Sequence, residues 1–497
     1  MDLPDSPVPT RTPLRSSRTL AAFLSFLVPG TGQLMTGRVR AGLLFLVPAL
    51  SAVLVGIAIS NGDRGGLLGF LVQPSVLLGI VLLDVLIFVW RAAAILDAWW
   101  TGSSKVQRTT RSATAIVALL AVTAATHFAI GAQVLAARDT IAAVFTTQDD
   151  GGDDGFGDIP APDATPSPSQ TPEPGTTPGP TSELMPTSAP TPSPAPTPRP
   201  GPLADSRLDV LLVGADSGPG RWSLRTDTLM VLSVDAKSGE AALFSIPRNM
   251  VGVPLPEESR KAFACRCFPE FINGLYVYAS SHPGLFPGKD ETRGLRAVQM
   301  AIGTLTGRAL DGMVVVQLQG FVRLINAIGG LDITVPEAVY DQHYPLENGR
   351  GYVAVSIRAG KQHLTGTRAL MYARSRHQDD DYGRMERQQI VISALGKRLL
   401  KEPLVLRLPE LLGIAKDNLW TNLKTGDLSD LARLAEQVDL KGMKKFRFVP
   451  PSYRANLDSA SIRRIRSVVA HAFDGAIPLA TPAPSPTLSP RPLPPGY

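Results

Sequence analysis

Three long apolar runs lie in the first part of the chain, at 41–60, 67–93 and 113–136. Each reaches the roughly 20 residues that an α-helix needs to cross the hydrocarbon core of a bilayer. A shorter run at 19–29 contains Pro29-Gly30, and we interpret it as an interfacial or re-entrant segment. The pattern predicts an all-α membrane region over 19–140 with about three spans, preceded by a short N-terminal segment, 1–18.

Basic residues flank these runs on one side. The first run is preceded by Arg11, Arg15, Arg18, Arg38 and Arg40, and the second and third are separated by Lys105, Arg108 and Arg111. Cytoplasmic loops carry an excess of Lys and Arg, so residues 1–18 are expected in the cytoplasm and everything after residue 136 outside the cell. We therefore predict a multi-pass protein of the bacterial plasma membrane, with the lipid bilayer as one partner.

Asp84 lies near the middle of the second predicted span. An ionisable group at this depth is costly, and such residues are often functional. The alternative is a neutral or paired carboxyl that helps the helices to pack. The sequence leaves both interpretations open.

Two segments have a composition that does not form a packed core. Residues 141–204 are dominated by Pro, Thr, Ser and Ala, and residues 477–497 are rich in proline. Chains with so few apolar residues stay disordered, and proline-rich ones are extended. We expect a disordered linker and a disordered tail, which leaves 205–476 as the folded domain.

The folded domain alternates apolar runs with amphipathic ones. Strands are predicted at 208–215, 228–235, 241–246, 313–318 and 331–335, with a hairpin turn at 236–240. Helices are predicted at 289–305, 320–328, 366–374 and 384–400. Strands interleaved with helices are typical of an α/β domain, here an αβα sandwich with a mixed sheet.

Two acids stand at the ends of the first two predicted strands. Asp216 closes the first strand and Asp227 opens the second. If the strands are antiparallel neighbours, the acids meet at one sheet edge, and paired carboxylates there suit Mg²⁺ (or Mn²⁺) together with substrate phosphates. An ordinary turn aspartate and a strand cap are the alternative.

Arginines recur along the predicted folded domain, in a chain whose net charge is +6. They are Arg225, Arg248, Arg374, Arg376, Arg384 and Arg387. Arg384, Arg387 and Gln388 share one helix face because they are three and four residues apart. The guanidinium fork fits phosphate oxygens, although a solvated basic face beside the acids at 379–381 would have the same pattern.

The order of several strings makes the chain resemble one family throughout 208–400, and more weakly over 400–476. The strings are "LLVGAD", "RTDTLMVLSVD", "FSIPRN", "GFVRLINAIGGLDITVP", "HLTGTRALMYARSR" and "DYGRMERQQIVISAL". Together they resemble the LytR–CpsA–Psr family of cell-wall glycopolymer phosphotransferases. The resemblance implies an extracytoplasmic catalytic domain that moves a glycopolymer phosphate from a polyprenyl (undecaprenyl or decaprenyl) pyrophosphate carrier to a peptidoglycan acceptor.

The resemblance also implies roles for individual residues. Asp216 and Asp227 match metal-associated acids, and catalysis is expected from Asp227, Arg225, Arg374 and Arg376. Pyrophosphate binding is expected from Arg248, Arg384, Arg387, Gln388, Asp381 and Asn273. No helix-turn-helix is apparent in the sequence, so no nucleic-acid partner is expected.

The chain departs from the family pattern at two positions. The family usually has an acid after Ser-Ile-Pro-Arg, where this chain has Asn249, and a lysine where it has Phe271. Two other functions stay open: a pyrophosphatase that uses water as acceptor, and a non-catalytic protein that binds polyprenyl phosphate. Cys265 and Cys267 are expected either as a disulfide across one residue or as two thiols.

Overall fold

The computed structural model describes residues 18–60, 69–71, 73–101, 110–145, 206–215, 226–346, 351–376, 381–401 and 408–474. Most of the predicted linker, the tail and the N-terminal residues up to 17 lie outside these ranges, so their expected disorder stays a prediction. The chain divides into two compact units. One unit holds the helices before residue 145 together with Leu408–Gly413 and Leu428–Glu436, and the other holds the β-sheet.

The first unit is helical in its described ranges. Its helices are α1 (Arg18–Leu27), α2 (Thr31–Met35), α3 (Val39–Ser60), α4 (Pro74–Thr101) and α5 (Thr110–Val144). Gly30 joins α1 to α2 with φ +98°, and a Cβ at this position would lie 2.3 Å from the Gly42 carbonyl oxygen. The break at Pro29-Gly30 is therefore confirmed, while the re-entrant placement of this segment stays a prediction.

Two stretches of the described chain are long and apolar enough to cross a membrane, Pro74–Thr101 and Ala113–Val144. They overlap the second and third predicted runs, and α5 continues beyond the predicted boundary at residue 140. The run at 41–60 falls on α3, an apolar helix of 22 residues that is not one of these two stretches. The described residues thus contain two candidate spans where about three were predicted, and the multi-pass arrangement and its orientation stay predictions.

Polar side chains connect these helices. Asp84 on α4 lies 2.7 Å from Nδ1 of His127 on α5. Arg38 donates to Asp97 Oδ2 at 2.7 Å, and Gln33 donates to the Ala94 carbonyl oxygen at 2.8 Å. Asp84 therefore has a partner on the neighbouring helix, as the packing interpretation requires.

The chain after residue 206 contains twelve described strands and eight described α-helices. The strands are β1 (Arg207–Ala215), β2 (Thr226–Asp235), β3 (Glu240–Ile246), β4 (Val253–Pro254), β5 (Cys267–Phe268), β6 (Gly312–Gln317), β7 (Leu331–Val335), β8 (Val339–Pro345), β9 (Tyr352–Ile357), β10 (Gly360–Leu364), β11 (Leu419–Thr421) and β12 (Asp439–Arg447). The helices are α6 (Leu275–Ser281), α7 (Arg293–Thr306), α8 (Leu318–Ala327), α9 (Gly366–Arg374), α10 (Asp381–Lys401), α11 (Leu408–Asn418), α12 (Leu428–Gln437) and α13 (Ser459–Ala470).

The central sheet has six strands in the order β11-β6-β1-β2-β3-β12. β1, β2 and β3 are antiparallel neighbours, whereas β6 runs parallel to β1 and β12 runs parallel to β3. The prediction of an α/β domain with a mixed sheet is confirmed, and so is the hairpin of β2 and β3. The pairs β4–β5, β7–β10 and β8–β9 form separate two-stranded sheets.

Helices cover both faces of this sheet. Neighbouring residues of a strand point to opposite faces, so the contacts of two successive residues show which helix lies on which face. Phe244 on β3 belongs to a core cluster that also contains Val298 and Ile302 of α7. The next residue, Ser245, accepts a hydrogen bond at 2.7 Å from Gln389 of α10. Helix α7 therefore packs on one face and α10 on the other.

A charged cluster is buried at the end of β1 opposite Ala215. Asp209 is 0% exposed and accepts hydrogen bonds from Arg207 at 3.1 Å and Arg308 at 2.8 Å, as well as from Ser233. Arg207 also donates to the Val469 carbonyl oxygen at 2.8 Å, which attaches α13 to the sheet. Removing one partner from such a cluster leaves a buried charge without compensation.

Cys265 and Cys267 form a disulfide in this structure, with a Cα–Cα distance of 5.1 Å. Of the two alternatives that the sequence left open, the structure therefore has the bonded one. The bond lies in the segment that leads into β5.

We predict that Asp209→Asn lowers the free energy of unfolding of the domain by about 3 kcal/mol, because Arg207 and Arg308 then lose their shared carboxylate. The measurement is urea denaturation of the full chain, followed by the circular dichroism of the β-sheet. Asp332→Asn is the control, since the Asp332 side chain is 79% exposed and its loss should change stability by less than about 0.5 kcal/mol. Equal effects of the two variants would contradict the assignment.

Candidate functional site

The register of β2 and β3 brings the first two site residues together. Leu229 pairs with Ile246 in this antiparallel hairpin, so the residue two positions before Leu229 lies opposite the residue two positions after Ile246. These are Asp227 and Arg248, and Arg248 Nη1 donates to Asp227 Oδ1 at 2.9 Å. The site therefore starts at the edge where β2 begins and β3 ends.

Arg248 also bonds a second acid, which comes from a different element. Its Nε donates to Asp381 Oδ2 at 3.0 Å, and its Nη2 lies 3.4 Å from Asp381 Oδ1. Asp381 is the first residue of α10. One guanidinium thus connects the hairpin to the N-terminus of a helix on the face opposite the Phe244 core.

Asn273 completes the environment of Asp227. Its Nδ2 donates to Asp227 Oδ1 at 3.2 Å, and its backbone N donates to the Arg248 carbonyl oxygen at 3.2 Å. Ile272 beside it is 0% exposed and anchors the 3₁₀ turn Ile272–Gly274 in the core. The structure therefore brings Asn273 beside Asp227 and Arg248, and its binding of pyrophosphate stays a prediction.

Burial raises the pKa of Asp227, but the charge of Arg248 and the hydrogen bonds from Arg248 and Asn273 lower it by more. The pKa of Asp227 therefore lies below the usual value for an aspartate. The same ion pairs outweigh burial at Arg248 and raise its pKa above its usual value. At neutral pH the pair is ionised. Both hydrogen bonds go to Asp227 Oδ1, and Oδ2 accepts none from a described residue.

Arg384 is a buried cation with spare donor capacity. It is 6% exposed, its Nε has no partner among the described residues, and its Nη1 is 3.6 Å from Asp381 Oδ1. Burial and the charge of Arg248 lower its pKa to about 10, so it remains charged at neutral pH. Gln388, one turn further along α10, is 8% exposed and makes no side-chain hydrogen bond to a described residue.

Arg374 and Arg376 approach from the end of α9. Arg374 Nη1 donates to the Tyr344 hydroxyl at 3.3 Å, and its guanidinium carbon lies 5.7 Å from the ring centroid. The Arg376 side chain is exposed, and its charge contributes to the lowered pKa of Arg384. The structure therefore brings Arg376 into the electrostatic environment of Arg384, and its catalytic role stays a prediction.

Arg387 has a different environment from its neighbours on α10. It is 8% exposed, and it donates to the backbone oxygens of Tyr372, at 3.1 Å, and Ser375. These bonds hold the C-terminal end of α9 against α10. The contacts give Arg387 a positioning role, and its direct binding of pyrophosphate stays a prediction.

Sequence reasoning missed two residues of this site, Asp341 and Tyr344 on β8. Asp341 is 1% exposed, and its Oδ2 accepts from the Arg376 backbone N at 3.3 Å. Tyr344 contacts Arg374, as described above. Little signal for this strand is present in the sequence, because polar side chains interrupt the apolar run and a register shift between Asp341 and Tyr344 breaks the alternation of buried and exposed positions.

Asp216 and Arg225 lie outside the described residues, so their place in the site stays a prediction. Within the described ranges no group of three His, Cys, Asp or Glu side chains is placed to hold a metal ion. Mg²⁺ usually keeps several waters and binds one or two carboxylates together with substrate phosphates. Asp227, ionised and with Oδ2 uncommitted, fits such a ligand role.

An apolar cavity of about 350 Å³ adjoins the arginines. It is lined by Gln319, Val322, Tyr344, Leu346, Thr367, Leu370 and Met371. Three of these belong to α9, and Arg374 follows Leu370 and Met371 at helical spacing on the same face. Arg374 therefore lies about one helical turn from two of the lining residues, and it contacts a third, Tyr344.

A model of the LytR_cpsA_psr family matches residues 187–461, more than half of the chain. Polyisoprenyl-teichoic acid--peptidoglycan teichoic acid transferase TagV of Bacillus subtilis is 30% identical over 202 residues, covering 40% of this chain and 45% of that protein. Biofilm regulatory protein A of Streptococcus mutans is 24% identical over 229 residues, covering 45% of this chain and 52% of that protein. This chain thus spans about half the length of these two curated relatives.

The crystal structure of B. subtilis TagV is among the similar solved structures. It aligns with a TM-score of 0.40 at 22% sequence identity, over 55% of this chain and 99% of that chain.

We predict that Asp227→Asn destabilises the domain by about 1–2 kcal/mol at pH 7, because Arg248 loses a charged hydrogen-bond acceptor. The pKa of Asp227 is lower in the folded chain than in the unfolded chain. Its contribution to stability is therefore complete above the unfolded value and disappears as the pH falls through the lower folded value.

The measurement is the thermal unfolding of wild type and variant between pH 7 and pH 3. The difference between the two should shrink on acidification, while Asp430→Asn, an exposed acid paired with Arg433, should differ little from wild type throughout. A difference that grows toward low pH would show that the sign is wrong.

Proposed function

This chain belongs to the LytR_cpsA_psr family, and from that premise we propose that it is a membrane-anchored transferase of cell-wall glycopolymers. Its donor is a glycopolymer linked to a polyprenyl pyrophosphate, and its acceptor is peptidoglycan. TagV, a relative that is 30% identical in the matched segment, is named a teichoic acid transferase of this type. The name of the S. mutans relative is that of a regulatory protein, so the site itself must carry the argument.

The observation that carries the proposal is that an apolar cavity lies next to a site with more arginines than acids. The cavity ends beside Arg374, and α9 supplies both the cavity wall and that arginine. Arg384 Nε has no acceptor among the described residues, and Gln388 faces the same side of α10. A ligand that satisfies both parts has an apolar tail and an anionic head, as a polyprenyl pyrophosphate does.

Charge at the site favours an anion. Two acids, Asp227 and Asp381, stand beside three arginines, Arg248, Arg376 and Arg384. Because Arg248 is bonded to both acids, the charge of Arg384 is only partly compensated. A pyrophosphate oxygen placed beside Arg384 Nε would accept a short, charge-assisted hydrogen bond from it.

In the proposed reaction a sugar hydroxyl of peptidoglycan forms a bond to the phosphorus that carries the glycopolymer. The bond from that phosphorus to the bridging oxygen breaks, polyprenyl phosphate leaves with the electron pair, and the hydroxyl proton is released to water. Arg376, Arg384 and Gln388 bind the oxygens on which charge accumulates. Arg248 and Asn273 hold Asp227 ionised and in place, and Asp381 orients Arg248 and Arg384.

Mg²⁺ or Mn²⁺ belongs to this proposal as the cofactor. Asp227 would hold it through Oδ2, with Asp216 as the second expected ligand. When bound, such an ion neutralises part of the pyrophosphate charge.

The proposal places the catalytic domain outside the cell, anchored by the helices before residue 145. Its support is the pair of apolar helical stretches and the basic residues that flank them on one side. In this arrangement the polyprenyl carrier and the anchor share one bilayer.

We predict that Arg376→Ala lowers the transfer rate by about 100-fold or more, since removal of one preorganised donor costs that much in comparable sites. Stability should change by less than about 0.5 kcal/mol, because the Arg376 side chain is exposed. Arg374→Ala should also lose activity. Arg368→Ala is the matched control on the same helix, since Arg368 donates to the Ser356 carbonyl oxygen away from the site.

The assay uses the full chain with a synthetic polyprenyl-pyrophosphate-linked sugar, peptidoglycan and Mg²⁺, with Asp227→Ala beside wild type. Acceptor-linked product that disappears in the variant is the expected result. Free phosphosugar without linkage would replace the transferase by a pyrophosphatase. Lipid binding without turnover would leave a carrier-binding protein, and activity retained in both Arg374→Ala and Arg376→Ala would refute the site.

A further inference from the structure

The disulfide between Cys265 and Cys267 closes a ring with a single intervening residue, Arg266. A disulfide stabilises a fold mainly by restricting the unfolded chain, and this effect grows with the number of residues in the loop that the bond closes. A loop with one intervening residue therefore adds little to the stability of the domain. The bond requires a different explanation.

Arg266 itself has an unfavourable backbone conformation. Its φ is +56°, in the left-handed region that residues other than glycine rarely adopt. Its backbone N donates to the Phe263 carbonyl oxygen at 2.9 Å, and its own carbonyl oxygen accepts from Leu255 N at 3.2 Å. These two hydrogen bonds and the disulfide hold Arg266 in place. Residues that a fold holds in such conformations are concentrated at functional positions.

The two cysteines differ in accessibility. Cys265 is exposed, whereas Cys267 is half-buried in β5, where it pairs with Pro254 of β4. The next residue, Phe268, is 1% exposed and anchors the Cys267 side of the ring in the core. A thiol on another molecule therefore meets Cys265 first, which makes Cys267 the leaving group.

Groups that stabilise a thiolate lie next to Cys265. Arg266 is exposed and supplies a positive charge between the two cysteines, and the backbone N of Cys267 donates to Cys265 Sγ at 3.3 Å. Thiolates are the nucleophiles and the leaving groups of disulfide exchange, and nearby cations favour them. Exposed disulfides are the labile ones, in contrast to the structural disulfides that resist reduction.

We propose that Cys265–Cys267 is a redox-active disulfide that accepts two electrons from a dithiol on another extracytoplasmic protein. A thiolate of the partner attacks Cys265 Sγ, the bond between Cys265 and Cys267 breaks, and Cys267 leaves as a thiolate. The partner's second thiolate then attacks the partner's own sulfur in this mixed disulfide, and Cys265 leaves. The two protons of the partner's thiols end on Cys265 and Cys267, and the partner ends as a disulfide.

This exchange site is separate from the transferase site. Phe268 and Ile272, which are 1% and 0% exposed, anchor the chain between the disulfide and Asn273. Opening the bond should therefore leave the residues around Asp227 in place. The inference takes from the proposed function only the location of the domain outside the cell, where disulfides persist.

The test mixes the full chain in lipid nanodiscs with reduced thioredoxin, and separately with glutathione redox buffers, and detects free thiols by a maleimide gel shift. Both cysteines of wild type should become reactive in each case. In the single variants, Cys265 of Cys267→Ser should react with Ellman's reagent faster than Cys267 of Cys265→Ser, by about tenfold. Equal rates, or the reverse order, would overturn the order of attack.

Arg266→Gly and Arg266→Lys are the matched variants. Glycine adopts positive φ without steric cost and removes the charge, so the equilibrium constant for reduction by glutathione should fall by about fivefold or more. Lysine keeps both the charge and the unfavourable backbone, so Arg266→Lys should behave like wild type. If the wild-type bond stays oxidised in thioredoxin and glutathione, or if Arg266→Gly is reduced as readily as wild type, the inference is wrong.

The transferase assay separates this inference from the proposed function. Cys265→Ser and Cys267→Ser should both keep the wild-type transfer rate, because neither residue belongs to the transferase site. Loss of transfer in both variants would show that the two sites are not separate and would refute the inference as stated. Disulfide exchange in a wild-type chain that transfers no glycopolymer would remove the proposed function and leave this inference standing.

Discussion

The contact between Arg248 and two carboxylates is the interaction on which the site depends. Asp227 comes from the start of β2 and Asp381 from the start of α10, and the single guanidinium that bonds both is 18% exposed. The β2–β3 register sets one of these contacts, and the packing of α10 on the sheet sets the other. Because both acids are engaged by Arg248, Arg384 is left as a buried cation with an unused donor. An anionic ligand is the partner that this arrangement lacks.

Around this contact the site is arranged as two layers with different roles. Arg387, Asp341 and Asn273 bond backbone atoms or other site residues and hold the elements in place. Arg376, Arg384 and Gln388 keep donors that no described residue uses. Side chains that are already held in place lose little conformational entropy when a ligand binds. In the proposed phosphoryl transfer, such preorganised groups would position the substrate and stabilise charge.

The two departures from the family pattern have different surroundings. Phe271 is 56% exposed, and it directly precedes the turn that carries Asn273. Where the family pattern has a lysine, this chain therefore has an uncharged, exposed side chain beside the site. Asn249 has a buried Oδ1 without a partner among the described residues. Asp227, Arg248 and Asn273 contact one another without an acid at residue 249, and Asp381 supplies the second carboxylate to Arg248.

Apolar runs and helical periodicity were sufficient to locate strands β1, β2, β3, β6 and β7 and helices α7, α8, α9 and α10, because both patterns report which side chains must be buried. The sequence also determined the types of residue in the site, since acids and arginines recur in family strings. The sequence patterns did not reveal β8 or β12. These two strands carry charged and polar residues, and their pairing with other strands defines them. The contacts between distant positions emerged from the folded structure: Arg248 bonds Asp381, which lies 133 positions after it, as well as Asp227. In the same way, Arg387 donates to backbone oxygens and Tyr344 adjoins Arg374. Such contacts depend on register and helix packing, which local patterns do not encode.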